Sequence, residues 1–510
     1  MNKMVNVRLV WFLEKRGLIS PSQCGFRQMC SCSDIIIRLE ASICKAFITK
    51  KHHVSVFFDL EKAYGTTWRF GILKTLHEYG LCGELPLFIK AFLANRKFKV
   101  KVGNTFSSLH RQEEGVPQGS VLSVTLFAIS INGLASVIPR DVMSTLFVDD
   151  LSISFAASRM TVAERKLQLT INKITEWCGK RGFKFSTTKT VVMHFCRIRG
   201  VHPDPDLYMY GQRIACKEET RFLGLLFDNR LSWGLHLKDL KIRCLQALNI
   251  LRVLSHTSWG VDRKHLITLY KALVFSKLSY GCEIYSSATK SRLAILDSIH
   301  NAGIRLAGGA FKSSPIPSLL VDAVEHPLDL CCQSLLVQCL YRIQRIPNSL
   351  TCQAVLSEKL FNIYKEHPRS PKPFGLRISI LLEQLCIPKV AIWPVKYSVV
   401  PPWTLSSVKH CNCLPGPKHE MSDEMLRIAF LDHLQEHVNS SIVFTDGSKS
   451  DAGVGFGVFF PGFTRSGRLP YQSSIYTAEF YAILIALKEI ASRPKENYVI
   501  CCDSECPSGY

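Results

Sequence analysis

The sequence predicts a multidomain protein of the α+β class. Its 510 residues, 47% of them hydrophobic, suffice for roughly three domains with true cores. Strand-like apolar runs alternate with helical periodicities before residue 230, and helical periodicity dominates beyond it. A Pro-rich stretch then precedes a second strand-bearing module. We therefore expect a mixed region (1–230), a helical region (231–345), a connector (346–438) and a small α/β module (439–510).

The charge balance and the distribution of cysteines indicate the kind of partner and the cellular compartment of the protein. The chain has 63 Lys and Arg against 41 Asp and Glu, a net charge of +22 that suits a polyanion such as nucleic acid. Alternatively, the positive charge serves only to keep the protein soluble. The 20 cysteines are scattered without a C-x-x-C motif, which indicates reduced thiols inside a cell. His410, Cys411 and Cys413 are a weaker metal-binding alternative.

Neither targeting nor membrane insertion is expected. Charged residues such as Arg8 and Glu14 interrupt the N-terminal apolar stretch, so it does not resemble a signal peptide. The longest uncharged run, 115–139, contains Pro, Gln, Asn and Gly and fits a loop and buried helix better than a membrane span. We expect an intracellular protein without a membrane segment.

The first 80 residues predict two helices, a strand and a third helix. Helical spacing covers about 5–13 and 33–49, around a loop that contains the sequence GFR. The run VSVFFDL (54–60) predicts a buried strand with Asp59 at its end. Asp59 could instead cap the helix predicted over 66–79.

The next segment predicts a basic strand and a glycine-rich loop. Lysines alternate with apolar residues over 96–103, which indicates an amphipathic strand. In EEGVPQGSVLSVTLF (113–127), Gly and Pro fix a loop before an apolar helix, and Gly119 would let the backbone approach a ligand. An ordinary loop-to-helix junction is the alternative.

The central motif is TLFVDDLS, residues 145–152. It predicts a strand, a two-residue turn holding Asp149 and Asp150, and a returning strand. Carboxylates fixed on a hairpin can bind Mg²⁺, although such a pair can also be a solvated turn. If the strand ending in Asp59 is a neighbour, three carboxylates converge into a two-metal site.

The remaining segments carry further candidates. A helix is predicted over 163–181, a loop and strand over 184–195 with Lys189 at the junction, and a hairpin over 221–233. In the C-terminal module, Asp446, Glu479 and Asp503 stand at the ends of a predicted strand, helix and strand. They form a second potential metal site.

The ordered set FFDLEKAY, EEGVPQGSVLSVTLF, FVDD, FKFSTTKT and RFLGLLFD resembles the reverse transcriptase of non-LTR (LINE-type, jockey-like) retrotransposons. GFR with the preceding Gln23 resembles a segment of the same family, and the resemblance covers about residues 1–345. It implies an RNA-directed DNA polymerase with a right-hand fold. Partial fingers and the palm would lie in 1–230, and a helical thumb and post-thumb region in 231–345.

The resemblance also implies roles for single residues. Asp59, Asp149 and Asp150 match the Mg²⁺-binding catalytic triad. Tyr64 matches an aromatic gate against the ribose 2′-hydroxyl, with core packing as its alternative, and Lys189 matches a proton donor to pyrophosphate, with a solvated lysine as its alternative. Gln118 and Gly119 match the residues that face the incoming nucleotide and template. Phe222, Leu223 and Gly224 match the segment that binds the primer end. Gly65 and Val124 replace the family's usual Asp and Pro.

The C-terminal module resembles a ribonuclease H domain through TDGS, TAEF and CCDS. That resemblance implies a second Mg²⁺ site at Asp446, Glu479 and Asp503. Because the sequence ends soon after Asp503, we expect an incomplete module that does not cleave RNA–DNA hybrids. The resemblance also leads us to expect that the sequence begins inside the fingers and does not include the endonuclease domain that such elements usually encode.

The sequence thus predicts a polymerase that uses Mg²⁺, dNTPs, an RNA template and a DNA primer or target. Action in the nucleus is implied by the resemblance alone. The alternative is a decayed element remnant that binds nucleic acid without catalysis. A metal-independent basic scaffold would not explain three acids in this order.

Overall fold

The protein is described from a computed structural model. The structure describes residues 1–200, 202–256, 258–356, 362–364, 366–367, 370–388, 390–395, 400–404, 421–493 and 496–502. The chain folds into two compact units, Met1–Thr404 and Leu405–Tyr510. Each unit is considered by itself.

Helices and strands alternate over the first 228 residues. In chain order they are α1 (Asn2–Lys15), α2 (Cys32–Ile48), β1 (His52–Phe58), α3 (Arg69–Glu78), α4 (Glu84–Leu93), β2 (Lys97–Phe98), β3 (Lys101–Val102), β4 (Thr105–Phe106), β5 (His110–Arg111), α5 (Val121–Asn132), α6 (Leu134–Val137), β6 (Met143–Phe147), β7 (Asp150–Ala157), α7 (Met160–Arg181), β8 (Val191–Phe195), β9 (Tyr208–Met209), β10 (Gln212–Arg213), β11 (Ala215–Cys216), β12 (Glu219–Phe222) and β13 (Leu225–Asp228).

The sheet at the centre of the first unit has five strands in the order β11–β8–β1–β7–β6. Strand β1 is the middle strand and pairs antiparallel with both β7 and β8. All seven of its residues are buried, as expected for a β-branched and aromatic run covered on both faces. The sheet thereby places the end of β1 beside the β6–β7 hairpin.

Alternate residues of β1 enter two different cores. Val54, Val56 and Phe58 pack with α1, α3, α4, α5 and α7 on one face of the sheet. Phe57 faces the other core, which contains α2 and the helices that follow residue 233. The two-residue period of a strand explains this division.

The basic segment 96–111 is a surface arm. The single strand expected over 96–103 is interrupted: β2 pairs with β5 and β3 pairs with β4, each over two residues. All the residues of these four strands are exposed. Lys97, Lys99 and Lys101 therefore project from a narrow arm.

Helices dominate the rest of the first unit. They are α8 (Gly234–Leu254), α9 (Arg263–Tyr270), a π-helical turn (Lys271–Phe275), α10 (Ser276–Ser279), α11 (Cys282–Tyr285), α12 (Lys290–Gly308), α13 (Ile316–Ala323), α14 (Leu328–Gln344), α15 (Leu350–Val355), α16 (Phe374–Gln384) and a 3₁₀ turn (Pro402–Thr404). Helices α15 and α16 fall in the predicted connector, yet Val355, Phe374 and Ile378 belong to the core that also holds α2.

Two buried ion pairs tie α2 to these helices. An Asp34 carboxylate oxygen accepts from Arg342 at 2.7 Å, and Glu40 accepts from Arg377 at 2.8 Å. Glu40 also accepts from the backbone N–H of Phe374 at 3.1 Å. Removing one partner of such a pair leaves a buried charge unpaired, which lowers the free energy of unfolding by about 3–5 kcal/mol.

The second unit contains α17 (Asp423–Gln435), β14 (Ser441–Ser450), β15 (Gly453–Phe460), β16 (Phe463–Leu469), α18 (Ile475–Ala491) and β17 (Tyr498–Cys502). Its sheet has the order β16–β15–β14–β17, with β14 parallel to β17 and antiparallel to β15. The predicted strand end at Asp446 is wrong: β14 continues to Ser450, so Asp446 lies mid-strand opposite Gly457.

Among the described residues, no helix combines the length and apolarity that crossing a membrane requires.

Candidate active site

The acidic hairpin is built by strands β6 and β7. Phe147 pairs with Asp150, so the two-residue turn consists of Val148 and Asp149. The predicted turn of Asp149 and Asp150 is therefore shifted by one residue, and Asp150 opens the returning strand. Val148 has φ +60°, which a β-branched residue rarely adopts and which costs on the order of 1–3 kcal/mol.

Asp59 reaches the same edge of the sheet from β1. Phe58, the last residue of β1, pairs with Leu151, which directly follows Asp150. Helix α3 begins ten residues after Asp59, so Asp59 does not cap it. The backbone carbonyl of Asp59 accepts from Ser186 N–H at 2.8 Å. Lys189 Nζ lies 3.4 Å from an Asp59 carboxylate oxygen, between exposed side chains.

The pKa values of Asp149 and Asp150 indicate that these carboxylates lie close to one another and to Asp59. Burial, together with the charges of Asp149 and Asp59, raises the pKa of Asp150 to about 6. Burial also raises the pKa of Asp149, with a contribution from Asp59. Since neighbouring carboxylates resist ionisation together, a bound cation would relieve the repulsion. The oxygen-only donor set fits a hard divalent ion.

A clamp from the N-terminal segment holds the strained turn. Gln23 is fully buried, and its side-chain oxygen accepts from Val148 N–H at 3.1 Å and from Gly25 N–H at 2.8 Å. Cys24 N–H donates to Leu146 O at 2.9 Å, alongside strand β6. A Cβ on Gly25 would stand 2.5 Å from Val148 N, so only glycine permits this approach.

The glycine-rich loop packs directly on the segment after Asp59. Val116 N–H donates to Tyr64 O at 2.9 Å, and a Cβ on Gly115 would stand 2.6 Å from the carbonyl oxygens of Tyr64 and Gly65. The half-buried Tyr64 ring stacks on Phe127 with centroids 4.9 Å apart. Burial raises the pKa of Tyr64, as does the charge of Asp149. Tyr64 therefore lies beside the acidic group.

Gln118 and Gly119 lie exposed at the tip of this loop. Gly119 has φ +89° and no atom within 4 Å of a hypothetical Cβ, which leaves the backbone accessible. The loop base is held by Arg69, whose guanidinium donates to the carbonyls of Gly115, Gln112 and Glu114 at 2.7, 2.8 and 3.0 Å. Sequence reasoning missed Arg69, because a lone arginine at a helix start carries no recognisable signal.

The hairpin β12–β13 contains Phe222, Leu223 and Gly224. Leu223 and Gly224 form its two-residue turn with φ +45° and +81°. Phe222 is buried and its ring lies 4.7 Å from that of Phe57 in β1. Tyr280 donates from its hydroxyl to Leu223 O at 2.8 Å. The turn is thus anchored on both sides, and Phe222 itself packs in the core.

In the second unit, Glu479 lies on α18 and is buried against β14, where a Cβ on Gly447 would stand 2.4 Å from Glu479 N. Asp446 adjoins Gly447 on that strand. Successive strand residues point to opposite faces, so the exposed Asp446 does not share the buried face of Gly447 that meets α18. Asp503 lies outside the described residues. The weaker metal-binding alternative at His410, Cys411 and Cys413 also lies outside them.

Residues 1–227 match the family model described as "Reverse transcriptase (RNA-dependent DNA polymerase)". The predicted reverse transcriptase family and the predicted α+β fold are thereby confirmed for residues 1–227. The ribonuclease H-like part of both predictions stays a prediction.

The relatives come from mobile elements. The chain is 27% identical over 322 residues to "Probable RNA-directed DNA polymerase from transposon BS" of Drosophila melanogaster, covering 59% of this chain and 34% of that protein. It is 24% identical to the "RNA-directed DNA polymerase from mobile element jockey" of the same species, covering 61% and 34%. The chain thus spans about a third of the length of these relatives.

Solved structures with a distant likeness include two telomerases. Apo telomerase from Candida tropicalis gives a TM-score of 0.35 at 12% identity, covering 71% of this chain and 60% of that chain. Telomerase from Candida albicans, in complex with a fragment of telomeric RNA, gives 0.31 at 16% identity, covering 66% and 55%.

Proposed function

We propose that this chain is the RNA-directed DNA polymerase part of a non-LTR mobile element. It would extend a DNA 3′ end on an RNA template with dNTPs, in the nucleus. The observation that carries the proposal is the convergence of Asp59, Asp149 and Asp150 at one sheet edge within the family-matched region. The basic charge of the chain suits such a nucleic-acid partner.

The three aspartates would hold Mg²⁺ in this proposal. When bound, the metal would activate the primer hydroxyl and neutralise charge on the triphosphate. Asp59 and the Asp149–Asp150 pair supply the oxygen ligands from two adjacent strands. Lys189, 3.4 Å from Asp59, would donate a proton to the pyrophosphate leaving group.

Tyr64 would select deoxyribose over ribose. Its ring is fixed by stacking on Phe127 beside the acidic group, so its face can block one extra oxygen. We expect Tyr64→Ala to raise ribonucleotide incorporation at least about tenfold relative to dNTP use. Tyr64→Phe retains the ring and should retain the discrimination, which competitive incorporation on one template would measure.

The surface arm, residues 96–111, would bind along the phosphate backbone of the nucleic acid. Lys97, Lys99 and Lys101 are all exposed along it. Replacing all three lysines with Ala should weaken nucleic-acid binding to a similar extent on unrelated sequences. It should also reduce the slope of log affinity against log salt concentration by the equivalent of up to about three phosphate contacts. A matched triple change at Lys3, Lys15 and Lys312 serves as the charge control.

Primer extension on an RNA template tests the proposed activity. The chain should add dNTPs in Mg²⁺, and the double variant Asp149→Ala, Asp150→Ala should be inactive while binding the template–primer as before. Asp141→Ala, which removes an exposed acid just before β6, should retain activity. Equal background from all three proteins, with binding intact, would favour the decayed remnant instead.

We further propose that the second unit is ribonuclease H-like. Support comes from the order β16–β15–β14–β17 with α18 packed on β14, and from Glu479 on that helix, buried against Gly447. Mg²⁺-dependent cleavage of an RNA–DNA hybrid by the chain, lost in Asp446→Asn, would overturn the expectation that this module is inactive.

A further inference from the structure

A cluster of histidines and a cysteine lies at the opposite end of the central sheet from the carboxylates. His52 begins β1, whereas Asp59 directly follows its end. The seven steps along the chain from His52 to Asp59 correspond to roughly 20 Å of strand. The cluster therefore belongs to neither the polymerase chemistry nor the substrate site described above.

Strand register explains why the side chains meet. Val54 of β1 pairs with His194 of β8 in an antiparallel ladder. Moving two residues along each strand brings His52 opposite Cys196, on the same face as His194. The ligand atoms of His52, His194 and Cys196 all lie within 4.8 Å of one another.

A fourth side chain comes from the loop after β8. The ring of His202 lies 4.9 Å from that of His52 and 6.3 Å from that of His194. His52 and His194 have ring centroids 5.1 Å apart. Imidazoles bound to one tetrahedral zinc with Zn–N of about 2.0–2.1 Å have ring centres about 5 Å apart. The three rings therefore have nearly the spacing that a shared ion requires.

The supporting hydrogen bonds also fit a metal site. His202 Nε2 lies 3.3 Å from Ile198 O, which leaves Nδ1 for a metal. Ligating histidines commonly donate their second N–H to a backbone carbonyl in this way. Ile198 N–H donates to Cys196 Sγ at 3.4 Å, a contact that stabilises a thiolate.

We propose that His52, His194, Cys196 and His202 form a structural zinc site. One thiolate and three imidazoles are borderline-soft ligands that suit Zn²⁺ and not Mg²⁺. Binding would widen the spacing between His52 Nδ1 and His194 Nε2, now 3.0 Å, to about 3.3 Å, the separation of two nitrogens on one tetrahedral ion, and would replace their mutual hydrogen bond. The ion ties the start of β1, the end of β8 and the loop through residue 202 together.

Cobalt titration of the full chain tests the site. After treatment with a chelator, one equivalent of Co²⁺ should produce tetrahedral visible bands and a thiolate charge-transfer band, both displaced by Zn²⁺. Cys196→Ser should abolish the charge-transfer band, and His202→Asn should weaken Co²⁺ binding at least about tenfold. Cys82→Ser and Cys386→Ser remove exposed cysteines elsewhere and should leave the spectrum unchanged.

Thermal unfolding gives the second readout. Zn²⁺ should raise the midpoint of thermal unfolding of the wild-type chain by about 5 °C and should not change the midpoint of Cys196→Ser. Without metal, the two proteins should unfold at similar temperatures. The proposal is overturned if the wild-type chain gives no thiolate band, or if Cys196→Ser retains both the band and the shift. A metal-free Cys196→Ser that fails to fold is replaced in both assays by His194→Gln, which should weaken Co²⁺ binding at least about tenfold and lose the Zn²⁺-induced shift of the midpoint.

Discussion

The side-chain oxygen of Gln23 accepts a hydrogen bond from the backbone N–H of Val148 at 3.1 Å. Val148 directly precedes Asp149 and adopts the strained φ of +60°. The same oxygen accepts from Gly25 N–H, so one side chain fixes both the N-terminal segment and the acidic turn. Gln23 is thus a positioning residue for the carboxylates rather than a ligand.

Gln23→Ala is expected to lower the rate of nucleotide addition more than it changes the KM for dNTP. Two backbone donors lose their acceptor, at a cost of about 1–3 kcal/mol, and the turn carrying Asp149 loosens. Gln168→Ala also removes bonds to the backbone, but at an exposed site on α7, and should leave the rate unchanged. Steady-state kinetics would count against the positioning role if both variants behaved alike.

Asp150→Asn should stabilise the metal-free protein at neutral pH. Because its folded pKa is raised to about 6 from 3.8, the native state holds more protons than the unfolded state between those values. Stability therefore falls as pH rises through about 4–6 and stays lower above it. Denaturation in chelator at pH 5 and pH 7.5 should show this loss in the wild-type chain and a smaller loss in Asp150→Asn.

Asp141→Asn is the matched control for that experiment. A hydrogen bond from Lys166 lowers the pKa of Asp141, so its ionised form stabilises the fold above the ordinary carboxyl pKa. This variant should gain no stability at pH 7.5. An unchanged pH dependence in Asp150→Asn would contradict the crowding of the three acids.

Glycines 65 and 115 should respond oppositely to added side chains. A Cβ on Gly65 would meet its nearest atom at 3.4 Å, so Gly65→Ala should be neutral or stabilising by up to about 1 kcal/mol. Gly115 has φ +77° and a Cβ there would stand 2.6 Å from two carbonyl oxygens, so Gly115→Ala should cost at least about 2 kcal/mol. Chemical denaturation compares the pair, and equal effects would contradict the described loop packing.

Arg69→Met should raise the KM for template and dNTP. The guanidinium holds three carbonyls at the base of the loop that presents Gln118 and Gly119. Lys74→Met changes an exposed cation on the same helix and should leave KM unchanged. A large fall in kcat with unchanged KM in Arg69→Met would show that the loop does not position substrates.

Arg377→Met should destabilise the first unit by about 3–5 kcal/mol. It leaves Glu40, which is 1% exposed, without its partner in the core. Arg345→Met, at the end of α14, is the control with an expected change under about 1 kcal/mol. If α16 resisted protease equally in both variants, that result would contradict its packing in the same core as α2.

The acids and their strands could be predicted because apolar runs ending in Asp have a recognisable pattern. The exact turn could not be predicted, because a valine at positive φ lacks the Asn-Gly or Gly signal of such hairpins and the sequence therefore favours Asp150 as a turn residue. Contacts such as Glu40–Arg377, separated by 337 residues, also leave no local signal. Prolines around α16 indicated a connector, although the helix itself is in the core.

Single-nucleotide incorporation by the Asp59→Asn variant is the most direct test of the carboxylate site. With saturating template–primer, dNTP and Mg²⁺, the wild-type chain should add one nucleotide, and Asp59→Asn should be slower by about 10³-fold or more, with template–primer affinity retained. Asp141→Asn should match the wild-type rate. Equal rates for Asp59→Asn and the wild-type chain would contradict the assignment of the active site.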